Sequence, residues 1–302
     1  MQYQKPLVIF HRKEMSFDDT SSRQFSINRQ KPKLFVEYLK KHQFSFEEKS
    51  DWGRLEREDL RLGHTEEYLD DFFSKDPRVE ASIGIPLSNQ YLISCEYETS
   101  ALYHAINYAL QHPKTITHSL VCWVHHAWPT GWRMLCWLNG QVIASCKIYE
   151  KWGTWGAYID LDAHYGNAMD ESRGFSEIVD RALPDWANIN PEWSHKEYIT
   201  SLKTKLQVLE MLIIKGKVWY VVYAHGSDSC EWDAFWGDIL SREERFECTK
   251  IVCRRIKELS KKIWKPIPTI LALFGGYREN IDEILELYRE DLEIIEEEFY
   301  SE

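Results

Sequence analysis

From residue 119 onward, short uninterrupted apolar runs alternate with longer segments of helical pattern, and this alternation constrains the fold more than any other feature. The runs at 119–124 (SLVCWV), 155–161, 218–224 (VWYVVYA) and 269–274 (TILALF) have strand length and are rich in β-branched or aromatic residues. Segments 141–150, 196–215, 242–262 and 281–299 read as helices, with Leu202, Leu206, Leu209 and Ile213 near one face of the second. Strands that are apolar throughout need cover on both faces, and parallel neighbours need a crossover between them. The expectation is therefore an α/β protein of three layers, with a mainly parallel central sheet between helices. The first third is less regular, with a strand at 6–11 and helices at 31–42, 66–75 and 98–112. No repeat, low-complexity tract or linker divides the chain, so one domain over 1–302 is expected, its acidic tail extending the last helix.

Composition removes several function classes. Hydrophobic residues make up 44% and charged residues 28%, too apolar for a mostly disordered chain. Lys and Arg number 37 against 48 Asp and Glu, for a net charge of −11 and no basic stripe to follow phosphates. Nucleic acid is not an expected partner, whereas a cationic ligand suits the surface. The apolar stretch before His11 is too short for a signal peptide or a membrane span. Seven cysteines, with no C-x-x-C pair, read as reduced thiols of a cytoplasmic protein. The oligomeric state is left open.

Ligands of open parallel sheets bind beyond the carboxyl ends of the strands. His125 and His126 follow the first run, Asp162 and His164 end the second, His225 and Asp228 follow the third, and Gly275, Gly276 and Tyr277 follow the fourth. One imidazole and two carboxylates (Asp162, His164, Asp228) suit a divalent transition ion with a position left for water, zinc first. The bland alternative makes Asp162 a helix cap and Asp228 a turn residue, and their shared sheet edge weighs against it. An adjacent histidine pair beside such a site suits proton transfer near neutral pH. Asp160 and Asn167 flank the motif and are placed to hold one histidine each. Tyr277 is either a packed turn residue or an O–H donor for a developing oxyanion.

In this order, Val124-His125-His126-Ala127, the stretch 159–167 (IDLDAHYGN), Gly226-Ser227-Asp228 and Phe274-Gly275-Gly276-Tyr277 resemble the zinc-dependent histone-deacetylase-like amidohydrolases, a family with bacterial acetylpolyamine members. Weaker likenesses are Cys136-Trp137-Leu138-Asn139, similar to a C-x-x-N turn, and the stretch 233–241. The resemblance covers roughly residues 85–280 and implies the arginase/deacetylase-like fold. It implies one zinc ion per chain on Asp162, His164 and Asp228, with a structural potassium ion near Asp160. It makes His125, His126, Tyr277, Asp160 and Asn167 the catalytic group, Asp160 supporting His125 and Asn167 supporting His126. Leu135, Gly275, Gly276 and Trp193 would bind substrate.

Departures from the pattern shape the substrate expectation. Trp123 and Val124 stand where the family carries glycine, which fills the foot of the pocket. Met134-Leu135-Cys136 replaces a G-F-C turn, so Leu135 stands for a tunnel phenylalanine. The rim aspartate that grips a peptide backbone falls near Gly84, and the potassium-binding serine at Ala182. Gly166 stands where binuclear arginases carry a further aspartate, which favours one metal over two. The expected activity is metal-assisted deacylation of a small acylated amine or acyl-lysine, with Glu96 or Glu98 as substitute rim acids. Another amide or ester hydrolase on the same fold, and a non-catalytic metal-binding module, are the rival readings. His225 has no family role and is expected to pack in the core or at the rim. Some of Trp128, Trp132, Trp193, Trp232 and Trp236 are expected to wall the channel.

Overall fold

A computed structural model describes residues 2–16, 26–77, 87–192, 194–234 and 239–301. Its centre is a seven-stranded sheet in which every pairing is parallel. The strands are β1 (Gln4–Phe10), β2 (Phe46–Lys49), β3 (Thr115–Ser119), β4 (Gly156–Asp160), β5 (Asn188–Ile189), β6 (Tyr220–Ala224) and β7 (Thr269–Ala272). They lie side by side in the order β2-β1-β3-β7-β6-β4-β5. Every residue of β4, β6 and β7 is buried, so helices cover both faces, as the unbroken apolar runs require. The helices are α1 (Ser26–Lys41), α2 (Arg57–Leu60), α3 (Glu66–Ser74), α4 (Asn89–Gln111), α5 (Gly140–Trp152), α6 (Ala168–Glu171), α7 (Glu177–Ala182), α8 (Tyr198–Ile214), α9 (Arg242–Lys262) and α10 (Ile281–Tyr300). None of the described helices is long and apolar enough to cross a membrane.

Helix boundaries follow local chemistry. Ser241 caps α9: its hydroxyl accepts from the Glu244 amide, and Glu244 returns a bond to the Ser241 amide. That box starts α9 at the expected residue. Helix α10 carries the acidic tail to Tyr300, as expected.

The expectations at β3 and α4 need correction. The strand expected at 119–124 is in fact Thr115–Ser119, and residues 120–124 run on as buried chain beyond the ladder. Thr117, His118 and Ser119 are polar yet wholly buried, and Thr117 satisfies its hydroxyl on the Ala105 carbonyl (3.1 Å). Such side chains hide a central strand from a hydropathy reading. Helix α4 begins at Asn89 rather than near 98, because Ser88 caps it on the Tyr91 amide. The short strands β2 and β5 had no expectation at all, being four and two residues long.

Candidate active site and metal centre

The adjacent strands β3, β7, β6 and β4 deliver their following residues to one point above their carboxyl ends. Asp162 and His164 leave β4, Asp228 leaves the turn after β6, and their ligand atoms lie within 4.8 Å of one another. His164 Nδ1 is 3.0 Å from both Asp162 Oδ1 and Asp228 Oδ2. Backbone amides aim the carboxylates: Ala163 donates to Asp228 Oδ1 (3.0 Å) and Gly275 to Asp162 Oδ2 (2.9 Å). Two glycines make room. A Cβ on Gly275 would lie 2.5 Å from Asp162 Oδ2 and closer still to Asp228, and one on Gly226 would lie 2.9 Å from Asp162 Oδ2.

Two fully buried carboxylates at one point demand positive charge. Protein alone supplies it by protonating His164. Its imidazole is pushed up to about 11, hydrogen bonds to Asp162 and Asp228 outweighing burial. Burial and then the Asp162 charge push Asp228 up to about 7. A divalent cation would replace that proton and neutralise both acids. One nitrogen and two oxygens are the donors zinc takes in open sites, so the residues fit the ion.

Each histidine of the pair has one partner that fixes its tautomer. Asp160 Oδ2 is 2.9 Å from His125 Nδ1, while its other oxygen accepts from the Asp162 amide (3.1 Å). Asn167 Oδ1 is 2.7 Å from His126 Nδ1. The oxygens can only accept, so each Nδ1 carries hydrogen and Nε2 holds the lone pair of the neutral ring. The two rings then diverge electrostatically. Burial lowers His125, but the charges of Asp162 and Asp160 outweigh it and the net shift is upward. Burial and then the neighbouring His125 charge hold His126 well below its usual value. The phenol of Tyr277 accepts from Trp123 Nε1 (3.1 Å), its ring 6.5 Å from that of His164. Burial, then the Asp162 and Asp228 charges, keep it protonated.

Other expected site residues are placed differently. Leu135 is partly buried against core residues, and the exposed neighbour Met134 lines the cavity instead. Gly275 and Gly276 lie against Asp162, Asp228 and Ser227, so their role is to let the carboxylates and turn close up. Trp193, Trp236 and Gly84 lie outside the described residues. Trp132 stacks on the buried Trp137 (5.7 Å), and Trp232 is 80% exposed. Ala182 packs in the core and has no side-chain oxygen for a cation. Glu96 pairs with Arg54 (3.0 Å) and Glu98 with buried Arg29 (2.8 Å), which removes both as rim acids. His225 is a core residue, its Nδ1 3.1 Å from Asp291 and its Nε2 3.1 Å from His118.

Beside His126 and His164 opens a cavity of about 600 Å³, with Arg133, Met134, Tyr165, Asp170 and Glu171 around its mouth. Sequence reasoning missed that acidic pair, although it follows Asn167 by only three residues. It missed Lys31 too, a wholly buried lysine whose ammonium donates to the Phe274 carbonyl (2.6 Å) just before the glycine turn. The C-x-x-N residue Asn139 proves architectural: it caps α5 on the Val142 amide (3.3 Å) and donates to Ser172 Oγ (2.8 Å).

Comparison with known proteins gives two findings. A family model described as the histone deacetylase domain matches residues 26–177. The fold is similar to that of an acetylpolyamine aminohydrolase from Burkholderia pseudomallei, with a TM-score of 0.68 at 13% sequence identity over 96% of this chain and 99% of that one. At that identity the likeness concerns the fold. No curated protein sequence matches significantly.

Proposed function

Since the chain belongs to the histone deacetylase domain family, we propose that it is a hydrolase that cleaves the amide C–N bond of an acylated amine as a single catalytic domain. The observation that carries this reading is the gathering of a His–Asp pair, a His–Asn pair and a tyrosine around the Asp162, His164 and Asp228 cluster. Asp162, His164 and Asp228 would hold one zinc ion, which supplies Lewis acidity to the acyl carbonyl and lowers the pKa of a water molecule.

The protein groups divide the remaining work. His126, kept neutral and hydrogen-bonded at Nδ1 by Asn167, takes the water proton at Nε2 and returns it to the leaving nitrogen. His125, held by Asp160, carries positive charge beside the forming tetrahedral centre. Tyr277 donates its O–H to the oxyanion. The substrate we infer is a slender acylated amine with a second cationic group, of the acetylpolyamine kind. Support comes from the net charge of −11, since Glu171 and Asp170 at the mouth already pair with Arg133 (2.9 Å) and Arg173 (3.0 Å). Seven unbonded buried cysteines suit a cytoplasmic setting.

Metal analysis of the purified protein, followed by kcat/KM on acetylpolyamines and acetyl-lysine peptides, tests the proposal. One bound divalent ion and a preference for acetylpolyamines are expected. A preference for peptides would refute the substrate assignment, and no hydrolysis of either class by metal-loaded protein would refute the activity.

A further inference from the structure

We propose that Trp123 is a positioning residue for Tyr277: its indole N–H fixes the phenol oxygen, and a buried Glu98–Arg29 clamp fixes the indole. Trp123 is 4% exposed, and its Nε1 is 3.1 Å from Tyr277 Oη. Indole nitrogen can only donate, so the phenol oxygen is the acceptor. An oxygen that accepts from Trp123 directs its own proton away from the indole. The indole thus sets both the place of the oxygen and the half-space into which its hydrogen points.

The indole itself is held from beneath. The Arg29 guanidinium lies 3.9 Å from the Trp123 ring centre, a cation–π contact between buried groups. Arg29 donates to Glu98 Oε1 (2.8 Å) and to the Tyr91 hydroxyl (2.6 Å), and Trp137 Nε1 reaches that same hydroxyl (2.5 Å). The other Glu98 oxygen accepts from the Cys122 amide (3.0 Å), pinning the backbone one residue before Trp123. Helices α1 and α4 therefore fasten the 122–123 segment at two points. Tyr277 follows the Gly275-Gly276 turn, its amide held by Asp233 Oδ2 (2.8 Å), and Trp123 adds a reference for the phenol oxygen itself. The indole provides one three residues from His126, which ties the proton acceptor and the oxyanion donor to one rigid segment.

The kinetic part of the test rests on the proposed deacylase activity, and the spectroscopic part does not. In metal-free protein labelled with ¹⁵N-tryptophan, the Trp123 indole proton should resonate downfield and move upfield in Tyr277→Phe. An unmoved signal overturns the proposal whatever the enzyme's activity. With substrate, Trp123→Phe should lower kcat about tenfold, the loss of roughly one hydrogen bond in the transition state, and leave KM within about twofold. Added to Tyr277→Phe it should cost less than about twofold more, since its effect passes through the phenol. Independent losses in the double variant, or a change confined to KM, would make Trp123 a plain wall of the pocket and refute positioning. Should Trp123→Phe fail to fold, the indole signal in Tyr277→Phe decides alone. If wild-type protein hydrolyses no acylated amine, the activity reading falls, and the indole signal still decides whether the phenol accepts from Trp123.

Discussion

Tyr277 and His126 occupy opposite protonation regimes within one small site, and single substitutions separate them. The phenol is kept protonated by burial and by two carboxylates, while His126 is kept neutral by burial and by charged His125. Tyr277→Phe should retain metal and fold yet lower kcat by about 10²–10³, as removal of an oxyanion donor does. His126→Ala should lose roughly 10²–10⁴, the range of general acid–base groups. Steady-state rates on the best acylated amine check both, and wild-type turnover by either variant would remove its role. Gly275 is tested through the metal rather than the rate. Its missing Cβ is what lets Asp162 and Asp228 approach the turn, and its amide aims Asp162. Gly275→Ala should weaken zinc binding by about tenfold or more in a chelator competition. Unchanged affinity would mean that the turn yields to the methyl group at little cost.

Elements are legible in the sequence where one periodicity runs unbroken. The residues beyond β4, β6 and β7 can be read as neighbours because their strands are apolar throughout. The alternation of strands and helices also leaves few topologies to consider. Strand β3 escapes such a reading because Thr117, His118 and Ser119 interrupt its hydropathy, and the partners that bury them are supplied by the fold, His225 for His118 among them. Asp160 and Asn167 follow from their offsets to His164, whereas the mouth depends on how α6 and the 133–134 turn fold back, which no spacing encodes. His64 is a further residue whose role only the fold reveals. Its Nε2 accepts from the Asn139 amide at the start of α5 (2.8 Å), so it must stay neutral, and burial lowers it to about 3. Below the ordinary histidine value near pH 6.5 the unfolded chain binds a proton that the folded chain refuses. Its contribution to stability is therefore complete above about pH 6.5. It is lost as pH falls toward about 3, by up to about 1.4 kcal/mol per pH unit. Urea unfolding at pH 7, 6 and 5 should show this slope in wild type and a shallower one in His64→Gln. Equal slopes would place the proton elsewhere.

Across the whole molecule, one buried polar network ties the helix layer to the strand end that presents Asp228. Asp291 of α10 pairs with Arg245 and accepts from Thr249 (2.8 Å), both on α9, and lies 3.1 Å from His225 at the end of β6. His225 meets His118 of β3 (3.1 Å), and Tyr223 meets Thr249 (2.8 Å). Each of these six groups is essentially inaccessible to water. Removing Asp291 strands the Arg245 charge in the interior, a change that typically costs about 3–5 kcal/mol. Asp291→Ala should therefore lower the urea midpoint substantially. The metal cluster should suffer less, because the Asp228 carboxylate is aimed by the Ala163 amide and by His164, neither of which belongs to the network. Zinc affinity of the folded variant is expected to stay within about threefold of wild type, so saturating zinc should raise the midpoint of both proteins by a similar free energy. A large loss of affinity at unchanged stability would reverse this division, making the network a support for the metal site rather than a tie between layers. Those two measurements on one variant separate what holds the fold from what holds the ion.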